Sequence, residues 1–121
     1  MKIFNACVVS KLMYVLFAAC LNKAERRRLD SFQNRCLRRI FRIQPSFFSR
    51  VSNATVLSIS NQSKLSDCLT RRQMVFMGQL ARRPGTDPVR ASVFEPDSLV
   101  VRRAEGPRKR GRPRQTRGKL V

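Results

Sequence analysis

Twenty-six lysines and arginines face seven acids, with no histidine, in this chain of 121 residues. That balance limits the chemistry open to it. The acids Glu25, Asp30, Asp67, Asp87, Glu95, Asp97 and Glu105 form none of the close pairs that two-metal or acid–base catalysis needs. Without histidine there is no triad base and no ordinary zinc finger, and no glycine-rich loop opens a helix. Tyr14 lies in an apolar run with no neighbouring base. Cys7, Cys20, Cys36 and Cys68 form no Cys-x-x-Cys pair, and each falls in an apolar run. They are expected to be small buried hydrophobes in a reducing compartment. The residues therefore predict no catalysis by the chain alone, no metal, no cofactor and no small-molecule substrate.

What they offer instead is positive charge, formally +19. It is densest at Arg108, Lys109, Arg110, Gly111, Arg112, Pro113 and Arg114, preceded by Pro107. Two prolines and a glycine exclude helix and interior strand there, leaving an extended cationic ribbon. The natural complement of such a ribbon is a polyanion, so nucleic acid, RNA or DNA, is the expected partner. The same run would serve as a nuclear localisation signal, which points to the nucleus.

The elements that position this charge are expected to be helical. Ile3 to Leu21 is mostly apolar, and Asn5, Ser10 and Lys11 share no side of a helical wheel. Such a helix calls for burial all round. A membrane anchor is open on length, against a cost of about 2.5–3.5 kcal/mol for Lys11 near the middle. A signal peptide is open too, since Ala18-Ala19-Cys20 supplies small residues after an apolar run. A second helix starts at Asn22, with Glu25 completing a capping-box pattern, and Pro45 is expected to end it. Leu29, Phe32, Cys36, Leu37, Ile40 and Ile43 make its apolar stripe. Opposite them Arg27, Arg28, Arg35, Arg38, Arg39 and Arg42 form an arc expected to contact phosphates, since a solvated face would mix in glutamates.

Pro45 to Arg50 reads as a linker in which Phe47 and Phe48 serve as anchors. Ser52-Asn53 caps a short helix holding Val56, Leu57 and Ile59, and Ser63 caps a third long helix over 64–83. Its apolar side holds Leu65, Cys68, Leu69, Val75, Phe76 and Leu80, with Arg72 and Gln79 projecting onto the same side. Those two either meet a buried partner or snorkel to water. The fold class expected is all-α: three main helices and one short one over 1–84, then a disordered basic tail over 85–121. Within that tail a local pairing is expected around Val93-Phe94 or Leu99-Val100-Val101. A body of about 80 residues gives a marginal core. Two amphipathic neighbours cannot cover a helix greasy on all sides, so a further partner is implied.

The order of landmarks resembles the carboxy-terminal, post-thumb segment of non-LTR retrotransposon reverse transcriptases. Ser10-Lys11-Leu12-Met13-Tyr14 is similar to that family's Ser-x-Leu-x-Tyr helix. Leu29-Asp30-Ser31-Phe32-Gln33-Asn34-Arg35-Cys36-Leu37-Arg38-Arg39-Ile40 looks like its Leu-x-x-Phe-x-x-Arg-Cys-Leu-Arg-x-Ile helix, in register throughout. Arg50-Val51-Ser52-Asn53, then Arg71-Arg72 and Met77-Gly78-Gln79-Leu80-Ala81-Arg82, resemble its Arg-x-x-x-x-x-Gly-His-x-x-Arg helix. Arg110-Gly111-Arg112-Pro113-Arg114 is similar to its Gly-Arg-Pro run. Gln79 stands where the family usually has histidine, and Arg117 where tryptophan is common. The polymerase motif with its paired aspartates is not among these residues. The resemblance therefore implies a non-catalytic remnant that positions template RNA or target DNA, with a missing polymerase domain packing on residues 3–21.

Pro107 to Arg114 separately looks like an AT-hook, in which Arg110 and Arg112 would enter the narrow minor groove of A·T-rich DNA. A chromatin-associated protein is the alternative that follows. A secreted or membrane-anchored cationic peptide, using residues 1–21 as signal or anchor, is the other.

Overall fold

Asn22 opens the helix that organises the first half of the molecule. Its side chain accepts the Glu25 N–H at 2.9 Å, and its own N–H donates to the Glu25 carboxylate at 2.7 Å. This is the reciprocal capping box expected from the sequence. The computed structural model describes residues 1–102 and Gly111, and the all-α expectation holds. Among the described residues there is no strand beyond one isolated bridge between Phe94 and Val101.

In chain order the elements are α1 (Lys2–Phe4), a π-helical stretch (Asn5–Val9), α2 (Ser10–Leu16), α3 (Lys23–Ile40) and α4 (Ser46–Ser49). Then come α5 (Asn53–Ser60), α6 (Leu65–Arg82) and α7 (Pro88–Val93). The short helix expected near Val56 is α5, with Ser52 accepting the Thr55 N–H as its cap. The chain divides into two compact units, Met1–Arg71 and Arg72–Val121.

In the first unit, two small cores are built around α3. Phe4, Leu37, Val56 and Leu57 form one, joining the N-terminal helix, α3 and α5. Met13, Leu29, Leu65 and Leu69 form the other, joining α2, α3 and the start of α6. The rest of the chain does not bury the first helix all round, in line with the expectation that two amphipathic neighbours cannot cover it. Phe4 and Met13 go inside, while Ile3, Cys7, Tyr14 and Val15 stay exposed on the opposite side. Nor are all four cysteines buried: Cys7 and Cys20 are exposed, and only Cys36 and Cys68 are partly covered.

The apolar stripe of α3 is also rotated from its expected position. Leu29 and Leu37 are buried, but so are Gln33, Asn34 and Arg38, whereas Phe32 and Ile40 face solvent. The reason is that the polar residues find partners inside and the two apolar ones sit on the far edge. The helix ends at Ile40, earlier than Pro45 requires. Arg42 takes a left-handed φ of 56°, and the Ile43 N–H donates back to the Arg38 carbonyl at 2.8 Å. That left-handed cap stops the helix before the proline acts.

On α6, Leu65, Leu69 and Leu80 are buried as expected, but Val75 is exposed, and so are Arg72 and Gln79. The buried stripe runs instead through Ser66 and Gln73, so neither Arg72 nor Gln79 needs a buried partner.

In the second unit, part of the stretch expected to lack structure is folded. Asp87 caps α7 by accepting the Val89 and Arg90 N–H groups, and Pro88 takes the first helical position, where its missing N–H costs nothing. Partial desolvation pushes the Asp87 pKa up, but those two N–H groups and the Arg83 guanidinium at 3.2 Å outweigh it and hold the carboxyl below its usual range. The expected local pairing appears as the Phe94–Val101 bridge, flanked by the Arg102 N–H donating to the Val93 carbonyl.

Candidate nucleic-acid interface

The arginines of α3 form two populations, and Arg38 does not belong to the exposed arc expected of it. Only 9% of it is exposed, and its guanidinium donates to the Gln44 carbonyl (2.9 Å), the Val51 carbonyl (2.6 Å) and the Asn53 Oδ1 (3.0 Å). It is a clasp that closes the chain between α3 and α5, and it is not available to a phosphate. The sequence placed it with its neighbours because its partners lie beyond the helix. Arg26, also on the inner side, donates to the Thr70 hydroxyl of α6.

Arg28, Arg35 and Arg39 are exposed, as expected. With Phe32 they recur at spacings of four, three and four residues, which puts all four within about 60° of the helix circumference. Arg27 is exposed too but lies off this face, and exposed Arg42 belongs to the left-handed cap. The predicted arc thus becomes a stripe of three arginines with an aromatic among them.

Nothing on the helix neutralises that stripe. Glu25 is committed to the Asn22 capping box. Asp30 accepts the N–H and hydroxyl of Ser66 at 3.1 and 2.7 Å, at the N-terminus of α6 where its charge also meets the helix dipole. Among the described residues the ion pair present joins Arg83 to Asp87, far along the chain from α3. The arginine face is therefore a field of one sign.

Beyond the clasp, the chain makes the one-turn helix α4 and presents Phe47 and Phe48 to solvent, with 76% and 71% of each exposed. Their ring centroids are 4.2 Å apart with planes tilted by 39°. The sequence reading offered these two as anchors of a linker, but neither ring is anchored in a core. Arg42 and Arg50 flank them, both exposed and both at left-handed φ, 56° and 54°. Arg50 was missed as a site residue. The signal available for it was the arrangement of two arginines around a Phe-Phe pair.

Arg108, Lys109, Arg110, Arg112, Pro113 and Arg114 lie outside the described residues. Gly111 is exposed with φ at +132°, a backbone conformation open to glycine. Among the described residues no group of three or more Cys, Asp or Glu is placed to hold a metal ion, and no helix is long and apolar enough to cross a membrane. Compared with known proteins, the chain matches no family model, no curated protein and no solved structure.

Proposed function

We propose that this chain is a non-catalytic nucleic-acid-binding segment of the non-LTR retrotransposon reverse transcriptase type. The observation that carries the binding is the face of Arg28, Arg35 and Arg39, exposed and without a carboxylate partner among the described residues while both acids of α3 are engaged elsewhere. The retroelement assignment rests on the motifs that run from Ser10 to Arg114. The bare side of the N-terminal helix, with Ile3, Tyr14 and Val15, is the surface on which a polymerase domain would pack.

Binding through such a face is mainly counterion release. If about six phosphates are neutralised by the α3 stripe and the basic tail, log K falls against log salt with a slope of about −5. A salt titration with structured RNA and with duplex DNA measures this, and a slope near zero overturns it. The AT-hook alternative is favoured by Arg110-Gly111-Arg112-Pro113, where Gly111 already holds a φ that a side chain resists. It requires A·T-rich duplex to outcompete G·C-rich duplex, and Arg112→Ala to abolish the preference. Equal affinity for both duplexes removes it.

A further inference from the structure

We infer that the loop between α3 and α5 is a stacking platform for unpaired bases, so that the preferred ligand is single-stranded nucleic acid. This rests on the proposal that the chain binds nucleic acid, and it names the form of the ligand.

Phe47 and Phe48 are large apolar side chains exposed over most of their surface, a placement that no core requirement explains. They are held there firmly. Arg38 fixes the loop on both sides of them, through Gln44 before and through Val51 and Asn53 after. The Ser49 hydroxyl donates to the Gln44 carbonyl at 2.9 Å and ties the end of α4 back to the segment before it. The two rings touch each other on one side, which leaves an open face on each.

The surroundings choose the occupant. A protein partner with an apolar groove would meet Arg42 and Arg50 at the rim, with the arginines of α3 just before them in the chain and no acid between Asp30 and Asp67. Aromatic rings set among exposed cations fit a ligand that is flat and apolar in its bases and anionic in its backbone. A duplex hides its base faces, so only its phosphates would be engaged. In a single strand the base faces are free to stack on Phe47, Phe48 and the half-exposed Phe32 of the α3 stripe. Stacking of this kind tolerates any base, so little sequence preference is expected.

The test uses the full chain and a fluorescent oligonucleotide of about 20 nucleotides, alone and annealed to its complement, at several salt concentrations. The single strand is expected to bind more tightly than the duplex. Phe47→Ala together with Phe48→Ala should weaken single-strand binding by about tenfold or more, with an unchanged salt slope and unchanged duplex affinity. The side chains are exposed, so the helical circular dichroism should be retained, and Phe47→Tyr with Phe48→Tyr should restore binding. Equal loss for strand and duplex, or no loss for the strand, overturns the platform while leaving electrostatic binding intact. Absence of binding by either form at low salt overturns the nucleic-acid proposal itself.

Discussion

Two faces of α3 carry similar numbers of polar side chains and do opposite things. On the inner face Asp30, Gln33 and Arg38 each reach a partner on another element: Ser66, the Ser63–Leu65 turn, and the Gln44–Asn53 loop. On the outer face Arg28, Arg35 and Arg39 reach no carboxylate among the described residues. Arg38 and Arg39 are adjacent in sequence and differ only in which way the helix turns them. The lesson is that a count of arginines does not measure a binding surface. A guanidinium whose donors are already taken belongs to the fold, and only the remainder is available to a ligand.

The sharpest way to break that distinction is Arg38→Leu. It leaves the Gln44 and Val51 carbonyls and the Asn53 Oδ1 without their donor in a partly buried site and removes the one nearly buried guanidinium that joins them. We expect a loss of about 3 kcal/mol in unfolding free energy, read from urea melts followed by circular dichroism. A change within about 0.5 kcal/mol would mean that the clasp does not hold the loop, and Arg38 would return to the outer population.

A smaller effect is expected from Gln33→Ala. Gln33 is fully buried; its Nε2 donates to the Ser63 carbonyl at 2.7 Å, and its Oε1 accepts the Leu65 N–H at 3.0 Å. Removal strands one donor and one acceptor at the entry to α6 and opens a void, for a loss of about 2 kcal/mol. The same melts measure it. Full stability would show that water replaces the amide and that α6 does not depend on α3 for its first turn.

These inner contacts explain how far the sequence was legible. The capping box of α3 was readable because Asn22 and Glu25 lie within one turn and need nothing else. The cap of α5 at Ser52 was readable for the same reason. The α6 start was read to within one residue, at 64 against Leu65, but its cap was not: the N–H groups of Leu65 and Ser66 are met by Gln33 and Asp30, more than thirty residues earlier in the chain, and not by Ser63. Hydropathy periodicity assigns Phe32 inward and Gln33 outward, since it scores each residue by transfer from water and is blind to a hydrogen-bond partner on another helix. The same blindness put Arg38 on the surface and made Phe47 and Phe48 anchors. Local signals thus gave the longer helices and α5, and most of the exposed arginines, while the choice between clasp and contact depended on non-local geometry.

The outer face provides the complementary test, with the smallest expected effect on stability. Replacing Arg28, Arg35 and Arg39 together by glutamine removes three exposed cations that make no ion pair with a carboxylate among the described residues. Exposed substitutions of this kind leave stability within about 0.5 kcal/mol per site, and relief of like-charge repulsion acts in the stabilising direction. Binding should respond instead. Each phosphate contact contributes about 0.9 to the salt dependence, so the slope of log K against log salt for duplex DNA should become shallower by about 2.7. Arg38→Leu should show the reverse pattern, with stability lost and the duplex slope retained under conditions where the chain remains folded. If the triple variant keeps its full slope, the α3 face is bystander charge and the basic tail alone carries the phosphates.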